Sequence, residues 1–179
     1  MRPVLMGGRA VSWKSPVLGG VSVWLPVVVM LALIARESTP MFAAEHTTGI
    51  LRSMWQAMFG PVSDQSWATV HYYMRKSGHF MGYGLLGLTW LRAWLLTWMP
   101  LLRLKSAAYY RGMCVVMAVL CTMAVASVDE LHQTYLPDRT GLMSDVLLDT
   151  MGAAVLMAMV SLSWIGRAQP GVDTCDARA

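Results

Sequence analysis

Charge is what this chain has least of. Of its 179 residues, 13% are Asp, Glu, Lys or Arg, about half the quarter that is typical of soluble domains. With 56% apolar residues and a mean hydropathy of +0.48, this scarcity excludes a separate water-soluble catalytic domain, a disordered chain and a collagen-like repeat. Cysteine is also sparse, at three residues. Cys114 and Cys121 are seven apart in one apolar run, about 10 Å along a helix and too far to bridge. Cys175 stands alone, and no C-x-x-C occurs, which argues against a disulfide scaffold and a zinc ribbon. The net charge of +4 is scattered between apolar runs, without the basic face of a nucleic-acid binder. H-E-x-x-H, a phosphate-cradling glycine loop and a G-x-S-x-G elbow are all missing.

What is present is length of apolar sequence. Val17 to Ala35 is 19 residues without a charge, longer than the hydrophobic region of a signal peptide and without a clean cleavage site after it, so it reads as an uncleaved anchor. Phe80 to Met99 carries one charge, Arg92, near a Trp94–Trp98 belt where a guanidinium can snorkel to headgroups. Gly112 to Val128 has none, and Val146 to Ile165 carries only Asp149. The fold expected is all-α and polytopic: four transmembrane helices, residues 17–165, between tails at 1–16 and 166–179. The connection 36–77 is too long for bare loop. Ile50, Leu51, Met54, Trp55 and Met58, and again Trp67, Val70, His71 and Met74, recur at helical spacing, so it is expected to hold two interfacial helices that cover the bundle.

Counting Lys and Arg sets the orientation. Arg2, Arg9, Lys14, Arg92, Arg103, Lys105, Arg111, Arg167 and Arg178 fall on one side with Asp173 and Asp176. Arg36, Arg52, Arg75, Lys76 and Arg139 fall on the other. Both termini are therefore expected in the cytoplasm, with all four histidines and eight of the ten carboxylates outside.

Three segments concentrate polar groups at that outer edge. In Lys76-Ser77-Gly78-His79-Phe80-Met81-Gly82-Tyr83, residues Lys76, His79 and Tyr83 are at i, i+3 and i+7 and share one helix face. Gly78 and Gly82 form a G-x-x-x-G step suited to close helix packing. In Asp129-Glu130-Leu131-His132-Gln133, followed by Pro137-Asp138-Arg139, residues Asp129, His132 and Gln133 are expected on a common face flanked by Glu130. Asp145 and Asp149 are one turn apart on the last apolar segment, which continues through Gly152 and Ala153. Ionisable groups at membrane depth are costly unless partnered, and they are functional candidates by default.

Lys-x-x-His-Phe before a span, Asp-Glu-x-His-Gln, a Pro-x-Arg turn and an acidic-polar-Gly stripe resemble the VanZ-like family, over roughly Ser66 to Met159. Where that family commonly has an acid before the tyrosine this chain has Gly82, and Asp149 stands where Asn is common. The resemblance implies a small multi-pass protein of the bacterial cytoplasmic membrane, associated through the family's namesake with teicoplanin resistance.

Lys76, His79, Tyr83, Asp129, Glu130, His132, Gln133, Arg139, Asp145 and Asp149 are thus the candidate cluster. The reading preferred is a binding module whose partners are the bilayer and an envelope ligand. Lys76, Arg75 and Arg139 would hold the phosphates of a lipid-linked wall precursor, or the carboxylates the amines of a glycopeptide. The alternatives are a polar staple between helices and an enzyme acting on an envelope lipid, with His79, Glu130 and His132 as the set able to hold an ion. No cofactor is otherwise implied.

Overall fold

The computed structural model describes residues 16–39, 41, 44–98, 106–136 and 141–165. The expected tails, Met99, Arg139, Cys175 and most of the basic residues used for orientation lie outside the described residues.

Five helices are described: α1 (Pro16–Glu37), α2 (Ala44–Phe59), α3 (Asp64–Trp98), α4 (Ala107–Gln133) and α5 (Met143–Ile165). Their ends follow local chemistry. Gly60, at φ 87°, closes α2 in the left-handed conformation that glycine tolerates best. Ser63 accepts from Ser66 N at 3.2 Å at the start of α3, and Ser106 accepts from Tyr109 N at 3.2 Å to cap α4.

Helix α3 is central, packing against α1, α4 and α5 and more lightly against α2. Its 35 residues extend about 52 Å at 1.5 Å each, more than the ~30 Å of a hydrocarbon core. The Trp67–Met74 stripe, expected as a separate interfacial helix, is the beginning of this unbroken rod. No proline interrupts Arg75 to Gly78, and a lone glycine costs a helix only about 1 kcal/mol. The other stripe lies on α2, but its Ile50, Met54 and Met58 are exposed, so they do not serve as cover for the bundle.

Among the described residues, α1, α4 and α5 are long and apolar enough to cross a membrane. The apolar part of α3 is diluted by glycines, tryptophans, Tyr83 and Arg92, on a helix whose neighbours remove much of it from any surrounding solvent. Where α5 faces away from the bundle, Leu147, Met151, Val155 and Met159 form an exposed ridge at four-residue spacing, a surface suited to lipid rather than water.

The closest approach is between α3 and α5. A Cβ on Gly152 would run into the Phe80 carbonyl, one on Gly84 would lie 2.8 Å from Leu156 Cδ1, and one on Gly87 3.0 Å from the Ala153 Cβ. The close-packing step is therefore Gly84/Gly87 against Gly152/Ala153. Gly78 and Gly82, expected in that role, have nothing within 4 Å of where a Cβ would stand.

Arg92 does not simply reach outward. Its Nη1 donates to the Ser22 and Val23 carbonyls of α1 at 3.2 and 3.0 Å. Pro26 lies within α1 and has no N–H, so the Ser22 carbonyl lacks its usual donor four residues on. The guanidinium supplies one from a different helix. Trp94 and Trp98, expected at an interface, belong to a ring cluster: Trp24 meets Trp90 and Trp94 edge-on at 5.8 and 5.2 Å, and Trp98 lies 4.7 Å from Trp94.

Candidate functional site

At the opposite end of the bundle, α1 and α4 finish, α5 begins and α3 passes through. The Lys76–His79–Tyr83 face of α3 meets one carboxylate at each step. Lys76 pairs with Asp145, His79 Nδ1 lies 3.5 Å from Asp149 Oδ2, and Tyr83 donates to Asp129 Oδ2 at 2.9 Å. Two steps join α3 to α5 and the third joins it to α4, so one helical stripe ties together three helices.

Asp129 has a dense set of donors. Besides Tyr83, Gln133 Nε2 donates to Oδ2 at 3.0 Å, and the Ser38 hydroxyl donates to Oδ1. These donors come from α3, α4 and the residue just past α1, which offsets the cost of burying a carboxylate. Ser38 was missed by sequence reading; its only signal is that it is a polar residue where the first apolar run ends. Beside it, Ser38, His79, Gly82, Tyr83 and Asp129 help line a cavity of about 20 Å³, space for roughly one water. The absent side chains of Gly78 and Gly82 keep that space open.

Glu130 and Asp149 are built differently. Glu130 Oε2 accepts from the Leu142 backbone N–H at 2.9 Å, tying the end of α4 to the approach to α5. Its Oε1, both oxygens of Asp149 and His79 Nδ1 are buried without a hydrogen-bond partner. Asp149 is fully buried and Glu130 4% exposed. One ligand atom from each of His79, Glu130 and Asp149 lies within 4.8 Å of the others, the one such three-residue group among the described residues.

His132 is not in this group. It is exposed on α4, and the set able to hold an ion contains Asp149 in its place. The reason is helical phase: at about 100° per residue, Glu130 and His132 lie on opposite flanks of Asp129, about 160° apart, and α4 turns the Glu130 flank toward α5. The structure brings together Lys76, His79, Tyr83, Asp129, Glu130, Gln133, Asp145 and Asp149.

Beside the cluster, between α2, α3 and α5, opens an apolar groove of about 730 Å³ lined by Trp55, Val70, Tyr73, Met74, Phe80, Met81 and Leu148, with Lys76 among its polar lining. Further along, α2 docks on α3 through His71, whose ring stacks on Trp67 at 5.4 Å and meets the Thr48 and Thr47 hydroxyls at 3.1 and 3.4 Å. Burial, and secondarily the nearby Arg75, lower the His71 pKa from its ordinary 6.5.

A helical bundle with an apolar exterior and an ionisable cluster gathered at one end defines a membrane protein of the small-bundle class. More specifically, the chain belongs to the VanZ/LLP1 family, whose model matches residues 22–164. That match covers all the helices that build the cluster. No curated protein and no solved structure matches the chain.

Proposed function

We propose that this protein crosses the cytoplasmic membrane four times, with α3 as the fourth crossing and both termini in the cytoplasm. Its polar cluster then opens at the outer surface, where it binds a lipid-tailed envelope ligand and contributes to teicoplanin-type resistance. One observation carries this reading: an apolar groove of about 730 Å³ lies beside a polar cluster at the same end of the bundle. The groove is a wide, open trough with apolar walls and Lys76 among its polar lining, a form that suits a chain lying along the surface with a charged group at its side. A hydrocarbon tail would lie against Val70, Met74, Phe80 and Leu148, with its polar head at Lys76 and Asp145. Wall precursors carried on a lipid and glycopeptides bearing an acyl chain both have this form. The exposed Ile50, Met54 and Met58 of α2 fit a helix lying in the outer interface over the groove.

The test is susceptibility of a Gram-positive host producing the protein, with variants compared at matched membrane abundance. Wild type should protect against teicoplanin by roughly tenfold, the equivalent of about 1.4 kcal/mol of effective ligand binding, and far less against a glycopeptide without an acyl tail. Leu148→Trp, which fills the groove, should abolish protection. Equal protection by wild type and Leu148→Trp, or no protection by wild type, would refute the binding reading.

A further inference from the structure

We infer that His79, Glu130 and Asp149 form a binding site for a divalent first-row metal ion of the zinc or manganese type, with one ligand from each of α3, α4 and α5. This inference goes beyond ligand binding in the groove and stands without it.

Geometry comes first. His79 Nδ1 and Asp149 Oδ2 are 3.5 Å apart, long for a hydrogen bond between nitrogen and oxygen. Ligands about 2.0–2.1 Å from a tetrahedral zinc are separated from each other by about 3.4 Å. Glu130 completes a set whose ligand atoms all lie within 4.8 Å of one another. The Leu142 N–H fixes Glu130 Oε2, which leaves Oε1 free as the donor, an outer contact of the kind that orients metal ligands.

Electrostatics point the same way. Asp149 is fully buried with neither oxygen hydrogen-bonded, and Glu130 Oε1 shares that condition. Burying carboxylate oxygens without hydrogen bonds costs several kcal/mol each. The neighbouring Asp129 and Asp145 add further negative character, and the nearby ammonium, that of Lys76, already faces Asp145. A bound dication would satisfy Glu130, Asp149 and His79 Nδ1 together. His79 gives an access route, because its side chain is 28% exposed while that of Asp149 is closed off. One imidazole with two carboxylates suits zinc or manganese; calcium, which takes six to eight oxygens, is a poor fit.

Protein purified in detergent is stripped with EDTA, dialysed against zinc or manganese chloride and measured by plasma mass spectrometry. Wild type and His132→Ala should each retain about one ion per chain, and Glu130→Gln and Asp149→Asn should bind at least roughly tenfold more weakly. Retention by Asp149→Asn equal to wild type would overturn the site, as would no retention by wild type, which would leave a His79–Asp149 ion pair in its place. If the carboxylate variants fail to fold, His79→Cys loaded with cobalt(II) decides: a sulfur-to-cobalt charge-transfer band supports the site, and its absence in folded protein refutes it. A result against the metal with teicoplanin protection intact would leave the groove reading standing.

Discussion

At the scale of single residues, an unusual partnership joins Arg92 and Pro26, which are far apart in sequence and on different helices. Pro26 removes the donor that the Ser22 carbonyl would have, and the Arg92 guanidinium replaces it. Arg92→Leu should therefore destabilise the solubilised bundle by about 0.5–1.5 kcal/mol, the net worth of an intramolecular hydrogen bond. In a Pro26→Ala background, where an N–H is restored, the same change should cost clearly less. A double-mutant cycle of unfolding in detergent measures the coupling, and strictly additive effects would show that the two residues act independently. Neither residue announces this from sequence, where a charge near tryptophans at the end of an apolar run reads as an interfacial anchor. Within a helix the reverse holds: the i, i+3, i+7 spacing of Lys76, His79 and Tyr83 is enough to place three side chains on one face. The same spacing rule leaves α4 underdetermined, because Glu130 and His132 flank Asp129 on opposite sides. Only packing against α5 decides which of them turns inward.

Among the elements, the outer connection departs most from sequence expectation. Its two apolar stripes were legible, but not that the second belongs to α3, because a polar stretch at Arg75–Gly78 looks like a boundary when nothing in it breaks a helix. The continuity makes the first part of α3 a platform on which α2 rests through His71. That contact is built for neutral imidazole. Since the His71 pKa is lowered on docking, the undocked form binds the proton more tightly, and stability falls as protons are taken up. Docking should be at full strength above about pH 6.5 and weaken as pH drops below that value toward the lowered one. Hydrogen exchange of the α2 amides should therefore be slower, after correction for intrinsic rates, at pH 7.5 than at about pH 5. His71→Asn should flatten the difference; an unchanged pH response in that variant would assign it to another group.

For the molecule as a whole, four features agree. The helices α1, α4 and α5 have the length and apolarity of membrane spans, and the exposed ridge of α5 is apolar throughout. The family match spans the bundle. Asp129, Glu130, Asp145 and Asp149 collect at one end with Lys76, His79 and Tyr83 of α3. That apolar helices dominate was visible in composition alone, since scarce charge leaves few other folds. The order of packing, with α3 in the centre, was not visible, because it depends on where small residues on two distant segments, Gly84 and Gly152, let the backbones meet.

Everything proposed about function depends on the cluster facing outward. The most direct measurement is labelling of single-cysteine positions in intact cells with a membrane-impermeant maleimide. Ser53, exposed on α2, is changed to cysteine in a Cys114→Ala, Cys121→Ala, Cys175→Ser background, and native Cys175 is followed in a chain carrying Cys114→Ala and Cys121→Ala. The account predicts that Ser53→Cys reacts in intact cells and that Cys175 reacts only after the membrane is permeabilised. Labelling of Cys175 from outside, with Ser53→Cys protected until permeabilisation, would put the cluster on the cytoplasmic side and contradict the account.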